Sequence, residues 1–269
     1  MHVQSRVERS MAGDAPWLFL SPHLDDAVLS CGALMEAEAQ GREIIVATLF
    51  TESGPAPHTR ATRSFLRQCA VPDAAELYQA RQSEDRAVLA GMGVQSIHLG
   101  EVDALFRRRR KPPMLGSSAW DRLLPELNHR YATYRFDIAL GRIARGDQAL
   151  IRQLRGDVAG LMAQTQAELL FCPAGVGRHV DHLITREVGK GHPDNVVMYS
   201  DFPYDLTTAP DQPHLSKMGF VPWTWDTGLD AKRGRIREYA TQSDALFPGG
   251  EIPRKPETYF VPGPTQNAA

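Results

Sequence analysis

Short apolar runs alternate with helical patterns along most of this chain, and this alternation limits the possible folds more than any other feature. Runs with the length and composition of buried strands lie at 17–20, 44–50, 96–99, 168–172 and 196–200, with a late one at 258–261. Helical spacing predicts helices at 27–40, 76–89, 148–166, 181–188 and within 231–246. Strands that alternate with helices predict a Rossmann-like α/β fold, in which a mostly parallel sheet is covered by helices on both faces.

The core of this fold is expected to span residues 17–200, and the pattern changes on either side of it. Residues 1–16 are polar and charged, so we expect a flexible N-terminal segment. Residues 201–261 are expected to form a C-terminal extension that packs near the active site. Its first part, 201–230, is rich in proline and aromatic residues and predicts a long ordered loop. A disordered tail is expected at 262–269.

Residues 103–147 interrupt the core alternation and predict an insertion, helical near 120–134. The insertion begins close to a basic run, Arg-Arg-Arg-Arg-Lys at 107–111. Such a run is most often a solvated loop, and we expect that here. The alternative is that it meets a phosphate, a carboxylate or an acidic carrier protein.

Composition excludes several classes of protein. With 269 residues and 42% hydrophobic content, the chain suffices for one large domain or one domain with an appendage. The net charge of -2 does not suggest a nucleic-acid binder. The three cysteines are widely spaced, which fits a reducing compartment. The N-terminus lacks the apolar stretch of a secretory signal, and no run approaches the length of a membrane span. We therefore expect a soluble cytoplasmic protein, of an oligomeric state that the sequence leaves open.

Two of the predicted strands are followed at once by histidine and aspartate residues. Residues 21–28 read Ser-Pro-His-Leu-Asp-Asp-Ala-Val after the first strand, and residues 178–182 read Arg-His-Val-Asp-His after the fourth. The carboxyl ends of parallel strands meet at one edge, where open α/β sheets bind their ligands. Histidine nitrogens and carboxylate oxygens are ligands of zinc, so one metal site assembled from both blocks is predicted, in a metal-dependent hydrolase.

The spacing within each block suits a metal site but does not establish one. His23 and Asp26 are three residues apart, as are His179 and His182, so each pair can turn toward one ion at the start of a helix. Only one of His179 and His182 need bind the metal. The plainer alternative for Asp25 or Asp26 is that the carboxylate only caps the following helix.

The two blocks resemble the His-Pro-Asp-Asp and His-Pro-Asp-His signatures of the LmbE-like (PIG-L) deacetylases. A third resemblance lies at 81–84, Arg-Gln-Ser-Glu, where the family has an Arg-x-x-Glu helix before the third strand. The order, the strand context and the spacing agree over about residues 17–200. The resemblance implies a zinc-dependent enzyme that removes the acetyl group from an N-acetylglucosamine-type sugar carried on a larger aglycone.

The resemblance also implies a role for each matching residue. The zinc ligands would be His23, Asp26 and His182. The other roles would be the general base for Asp25, stabilisation of the oxyanion or protonation of the leaving amine for His179, orientation of a histidine for Asp181, and contact with the substrate sugar for Arg81. The alternative for Arg81 is an ordinary surface ion pair with Glu84 or Asp85.

The chain departs from the family pattern at several positions. Leu24 and Val180 replace the signature prolines, and Ala27 stands where many members have a glutamate. No tyrosine lies at 175–178, shortly before the second block, where some members place one that helps to hold the oxyanion. Arg178 or Tyr204 is a candidate substitute.

The leading hypothesis is therefore an N-deacetylase that acts on a small amino-sugar conjugate in the biosynthesis of a glycosylated metabolite. A second hypothesis keeps the site but hydrolyses another acyl amide or an ester. A third is a non-catalytic α/β protein that binds a ligand. Iron, cobalt or nickel suits the same ligands as zinc. The aromatic residues between Phe202 and Trp225 either line the mouth of the pocket or cover the edge of the sheet.

Overall fold

A seven-stranded sheet forms the centre of the computed structural model, which describes residues 6–109, 124–139 and 141–263. The strands are β1 (Trp17–Ser21), β2 (Ile44–Glu52), β3 (Gln95–Val102), β4 (Leu169–Pro173), β5 (Val196–Tyr199), β6 (Phe220–Trp225) and β7 (Glu257–Pro262). Their order across the sheet is β3-β2-β1-β4-β5-β7-β6. The first five strands in this order are parallel, and β7 and β6 continue the sheet with antiparallel pairing. The predicted α/β fold with a mostly parallel sheet is confirmed.

Helices connect the strands and cover the sheet. They are α1 (Arg6–Met11), α2 (Asp26–Glu38), α3 (Arg60–Gln68), α4 (Ala74–Gly91), α5 (Gln148–Thr165), α6 (Val180–Gly189), α7 (Gln212–Lys217), α8 (Leu229–Arg237) and α9 (Ser243–Leu246). None of the described helices has both the length and the apolar character that a membrane crossing requires.

Strand β1 shows why this sheet is buried on both faces. Leu18 and Leu20 pack into one apolar cluster, and Trp17 and Phe19 pack into another. Because successive side chains of a strand point to opposite faces, β1 contributes to two cores at once. A continuous apolar run is what a central parallel strand requires.

The C-terminal extension differs from its predicted form. Residues 201–230, expected to be a long loop, contain α7 and β6. Strand β6 was missed because Pro222 argues against a strand in the sequence. Among the described strands it pairs with β7 alone, at the end of the sheet order, and an edge strand tolerates a proline. The late strand predicted at 258–261 is confirmed as β7.

The N-terminal segment contains α1, although its sequence gave no helical signal. Ser10 accepts a hydrogen bond from the Trp17 indole at 2.9 Å, and Arg42 donates to the carbonyls of Ser10 and Gly13 at 2.9 and 2.7 Å. Within the insertion, the described residues hold two 3₁₀ turns, at Pro125–Leu127 and Arg145–Asp147, and a short π-helix at Tyr134–Ala139. The helix expected near 120–134 is wrong over its described part, because residues 128–133 form a turn and irregular backbone in which His129 bridges to Arg108. Residues 120–123 lie outside the described residues, as do most of the tail and residues 1–5.

Candidate active site

Hydrogen bonds close the loop after β1, and the Asp25 carboxylate takes no part in them. Ser21 Oγ accepts from the Ala27 N–H at 3.0 Å, and the His23 N–H donates to Asp26 Oδ2 at 2.9 Å. Asp25 occupies the N-cap position of α2, but its side chain makes no capping hydrogen bond. The simple alternative, a helix cap at Asp25, is therefore wrong. Its carboxylate instead lines a cavity at the carboxyl edge of the sheet.

The three predicted metal ligands meet at this edge. Asp26 Oδ2 lies 3.0 Å from His23 Nδ1 and 3.2 Å from His182 Nε2. The ring centroids of His23 and His182 are 5.4 Å apart. Residues separated by more than 150 positions in sequence thus meet around Asp26 Oδ2, because β1 and β4 are adjacent in the sheet. Among the described residues, donor atoms that all lie within 4.8 Å of one another come from His23, His179 and His182, and from His23, Asp103 and Asp181.

Each of these histidines also contacts a carboxylate through its other ring nitrogen. His182 Nδ1 lies 2.7 Å from Asp201 Oδ1. His23 Nε2 lies 3.3 Å from Asp181 and 3.5 Å from Asp103. Such contacts orient the ring and raise the basicity of the ligand nitrogen at metal sites.

His179 lies against the cluster and caps helix α6. Its Nδ1 accepts a hydrogen bond from the Asp181 N–H at 3.3 Å, and its ring lies 5.0 Å from that of His23. Burial, together with the neighbouring His23 and His182, holds the pKa of His179 well below its usual value. The ring is therefore neutral at pH 7.

The adjacent aspartates have opposite protonation behaviour. Burial and the charge of Asp26 raise the pKa of Asp25 to about 7. Burial alone would also raise the pKa of Asp26, but His182 and His23 lower it well below its usual value. Burial opposes the charge on His182, yet Asp26 and Asp201 raise its pKa to about 9. Two carboxylates with separated pKa values are typical of an acid–base site.

The first residue of the basic run, Arg107, is not solvated as the sequence predicts, whereas the next two, Arg108 and Arg109, are exposed. The Arg107 side chain is buried, and its Nη2 donates to Asp181 Oδ1 at 2.6 Å while Nη1 lies 3.4 Å from Asp147. Arg107 therefore meets carboxylates, but those of its own chain, because buried carboxylates require a counterion. Arg108 is exposed and donates to the Pro55 carbonyl. The last two residues of the run lie outside the described part.

The cavity beside the cluster has a volume of about 140 Å³. Its lining combines the catalytic candidates with apolar and aromatic residues: His23, Asp25, Asp26, Leu29, Phe65, Arg81, Asp103, Leu105, Tyr134, His179, Pro203, Tyr204, Gln242 and Leu246. The lining thus draws on the insertion and on the C-terminal extension as well as on the core.

Arg81 reaches the cavity and is not the surface ion pair that was the alternative. Glu84 hydrogen-bonds to Thr241, and Asp85 contacts His98 and Tyr239. The Arg81 guanidinium lies 5.2 Å from the Phe65 ring, and its Nε has no hydrogen-bond partner among the residues that the structure describes.

Sequence reasoning missed several residues of this site. Asp103 directly follows β3, and Asp201 lies two residues after the end of β5. The signal that singled out the two histidine blocks, a polar residue after a strand, was therefore present for both aspartates. Tyr134 and Gln242 carried no local signal. Tyr204, a candidate for the missing family tyrosine, lies edge-on to His182 with ring centroids 5.4 Å apart.

Comparisons with known proteins agree with this geometry. The family model described as PIG-L, GlcNAc-PI de-N-acetylase, matches residues 18–191. The chain is 27% identical over 257 residues to the 2'-N-acetylparomamine deacetylase of Niallia circulans, which covers 86% of this chain and 82% of that protein. It is also 27% identical over 193 residues to the Streptomyces fradiae protein of the same name, covering 70% of this chain and 57% of that one.

Solved structures share the fold. The zinc-inhibited form of teicoplanin deacetylase Orf2 superposes with a TM-score of 0.69 at 20% identity, over 94% of this chain and 100% of that one. The A40926 pseudoaglycone deacetylase Dbv21 gives 0.64 at 23% identity, over 91% and 95% of the two chains. Because the family model spans more than half of the sequence and includes both histidine blocks, this chain belongs to the PIG-L family of deacetylases.

Proposed function

We propose that the protein is a zinc-dependent hydrolase that removes the N-acetyl group from an N-acetylglucosamine-type sugar conjugate, releasing acetate and the free amine. The observation that carries this proposal is the Asp25 carboxyl, which caps no helix and lies in the cavity beside the His23–Asp26–His182 cluster. The relatives named as deacetylases of paromamine and teicoplanin derivatives support a role in the biosynthesis of a glycosylated metabolite.

The donor set fits a zinc ion. His23, Asp26 and His182 would hold it, and Asp26 Oδ2 lies 3.0 and 3.2 Å from the two ring nitrogens. Ligand atoms of a tetrahedral zinc at roughly 2.0–2.2 Å are about 3.3–3.5 Å from one another, and these two distances are close to that range. Carboxylates also contact the second ring nitrogen of both His23 and His182, as is usual for histidines that bind metal ions. Iron, cobalt or nickel would also be accepted by these donors.

Asp25 is the proposed general base. Zinc, when bound, would lower the pKa of a water molecule and polarise the acetyl carbonyl. Asp25 takes a proton from the water molecule as the water oxygen attacks the carbonyl carbon. The same carboxyl returns the proton to the sugar nitrogen as the C–N bond breaks, which leaves acetate and the amine. A pKa of about 7 suits both transfers at neutral pH.

His179 is the proposed hydrogen-bond donor to the oxyanion. Its Nδ1 accepts the Asp181 N–H, so the proton of the neutral ring resides on Nε2. A neutral donor stabilises the charge that develops on the carbonyl oxygen, and loss of such a donor typically costs about 2.7–4 kcal/mol of barrier. Protonation of the leaving amine then belongs to Asp25, because Asp25 carries the proton taken from the water whereas the His179 ring is neutral.

Arg81 is the proposed contact to the sugar. Its guanidinium lies at the cavity, packs against Phe65, and retains an Nε–H without a protein acceptor in the described part of the chain. That Nε is itself buried, so donation to a sugar hydroxyl would come from the terminal Nη groups of the guanidinium.

The test is acetate release from a panel of N-acetylglucosamine conjugates, with metal-free protein before and after addition of zinc. We expect zinc to restore release, and Asp25→Asn to lose about 10²–10⁴-fold in kcat while it binds zinc stoichiometrically. Asp205→Asn, outside the cavity, serves as the control and should retain its activity. Zinc binding without acetate from any conjugate would reject this substrate. Formyl, propionyl and ester analogues would then test the second hypothesis, and inactivity on all of them would leave a binding protein.

A further inference from the structure

Asp201 contacts the candidate metal site from beyond the segment that matches the family model, which ends at residue 191. It follows β5 and is 1% exposed. Its Oδ1 lies 2.7 Å from His182 Nδ1, and its Oδ2 accepts the Val176 N–H at 2.8 Å. Both carboxylate oxygens are thus used, and neither lines the cavity.

We propose that Asp201 is a positioning residue that keeps the proton of His182 on Nδ1, so that Nε2 faces Asp26 and the metal ion. An ionised carboxylate only accepts hydrogen bonds, so the ring nitrogen beside it must donate. The other nitrogen of a neutral ring is then free to act as a ligand. This inference rests on the metal site of the proposed function, but not on the identity of its substrate.

Asp201 also fixes the turn between β4 and His179. Val176 lies between Gly175 and Gly177, whose φ values of 78° and 79° are accessible to glycine at little cost. A Cβ at Gly177 would lie 2.7 Å from the Tyr204 ring, so the turn packs closely on that side chain. The Tyr204 ring in turn lies edge-on to His182. Asp201 therefore contacts the His182 ring at Nδ1, and the Tyr204 ring packs against the same ring at nearly a right angle.

His23 lacks an equally dedicated partner. The two carboxylates near its Nε2 are 3.3 and 3.5 Å away, and Asp181 is shared with Arg107 and the Ala104 N–H. The contact at Asp201 is shorter, and its Oδ1 is used by His182 alone among the described residues, whereas Asp181 Oδ2 also accepts the Ala104 N–H. Asp201 is therefore the stronger orienting group. Loss of such a partner typically weakens metal binding by about 10–100-fold.

The first experiment measures the zinc dissociation constant of Asp201→Asn by competition with a chromophoric chelator. We expect binding weaker by about 10–100-fold, with kcat reduced and KM unchanged at saturating zinc. The matched control is Asp205→Asn, a buried carboxylate that contacts Ser200 Oγ and Lys255 Nζ, both at 2.9 Å. This control should lose stability but bind zinc as the wild type does. Wild-type affinity in Asp201→Asn would overturn the proposal.

A second measurement does not depend on whether the variant folds. In wild-type protein loaded with zinc and labelled with ¹⁵N-histidine, NMR reports which nitrogen of His182 carries the proton. We expect the proton on Nδ1, and a proton on Nε2 would overturn the proposal. Because no substrate is present, an inactive deacetylase would leave both results interpretable. Wild-type protein that binds no zinc would instead reject the metal site itself.

Discussion

Among the buried ion networks of the described residues, two differ in what they contact at their ends. The insertion network, Asp147–Arg107–Asp181, ends on His23 of the candidate metal site. The extension network, Lys232–Glu257, ends on the backbone of helix α2. Similar burial and similar chemistry thus serve different ends, because one network terminates on a functional side chain and the other on peptide groups.

The insertion network concentrates charge around one guanidinium. Arg107 neutralises Asp181 and Asp147, and the latter also accepts from Arg130 and the Tyr131 hydroxyl. Asp181 then presents its second oxygen to His23 at 3.3 Å. A substitution of Arg107 should therefore lower both the stability of the fold and the affinity of the candidate site for zinc.

The extension network joins the C-terminal region to α2. Lys232 Nζ lies 2.9 Å from Glu257 Oε1. The Glu257 carboxylate also accepts the N–H groups of Ala33 and Leu34 at 2.8 and 3.1 Å, and the Tyr259 hydroxyl at 2.8 Å. None of these contacts involves a cavity-lining residue. A change here should therefore affect stability alone.

The largest effect is expected for Arg107→Met. Removal of this charge leaves Asp181 without a guanidinium partner and Asp147 with Arg130 as its remaining one, so the free energy of unfolding should fall by about 5 kcal/mol. Zinc affinity should fall as well, because Asp181 loses its anchor. Urea unfolding of the metal-free protein and chelator competition measure the two. The control is Arg108→Met, at the exposed neighbour, and equal losses in both variants would contradict the prediction.

A smaller loss is expected for Lys232→Met, about 3 kcal/mol, because Glu257 keeps three other hydrogen-bond donors. Zinc affinity should equal that of the wild type. The same urea and chelator measurements apply. If zinc binding weakened as in Arg107→Met, the contrast between the two networks would be lost.

The pH dependence sharpens the comparison at the metal site. In the metal-free protein the pKa of His182 is raised to about 9. Its contribution to stability is therefore fully present below pH 6.5 and is lost as the pH rises through 9. Zinc must displace this proton, so zinc affinity should increase with pH up to about 9, by up to about tenfold per pH unit for each proton displaced. Calorimetry in buffers of different ionisation enthalpy counts the protons. Lys232→Met should show the same slope, and a flat profile would contradict the raised pKa.

The smallest effect is expected for Arg235→Met. Arg235 Nη2 lies 2.7 Å from Glu36 Oε1, a contact as short as those within the buried networks, but both side chains are 24% exposed. Solvent screens such a pair, and we expect a loss of less than about 1 kcal/mol in urea unfolding. A loss as large as that of Lys232→Met would show that the number of contacts, and not burial, sets the cost.

The core strands and their order along the chain were predictable because their signal is local. Continuous apolar runs such as 17–20 predict buried strands, and residues that follow a parallel strand predict a site at its carboxyl end. The edge strand β6 was not predictable in this way, because a proline such as Pro222 is rare inside a strand and argues against one in the sequence.

The sequence by itself determined the α/β core, the two histidine blocks and their assignment to one family, since each depends on residues close together in the chain. The tertiary structure decided that Arg107 is buried between two carboxylates and that Asp201 contacts the Nδ1 atom of His182. It also decided that Asp25 lies in a cavity, where its pKa is raised to about 7. These properties depend on distances between residues far apart in sequence and on the exclusion of water around them. A local sequence pattern predicts neither the distances nor the exclusion of water.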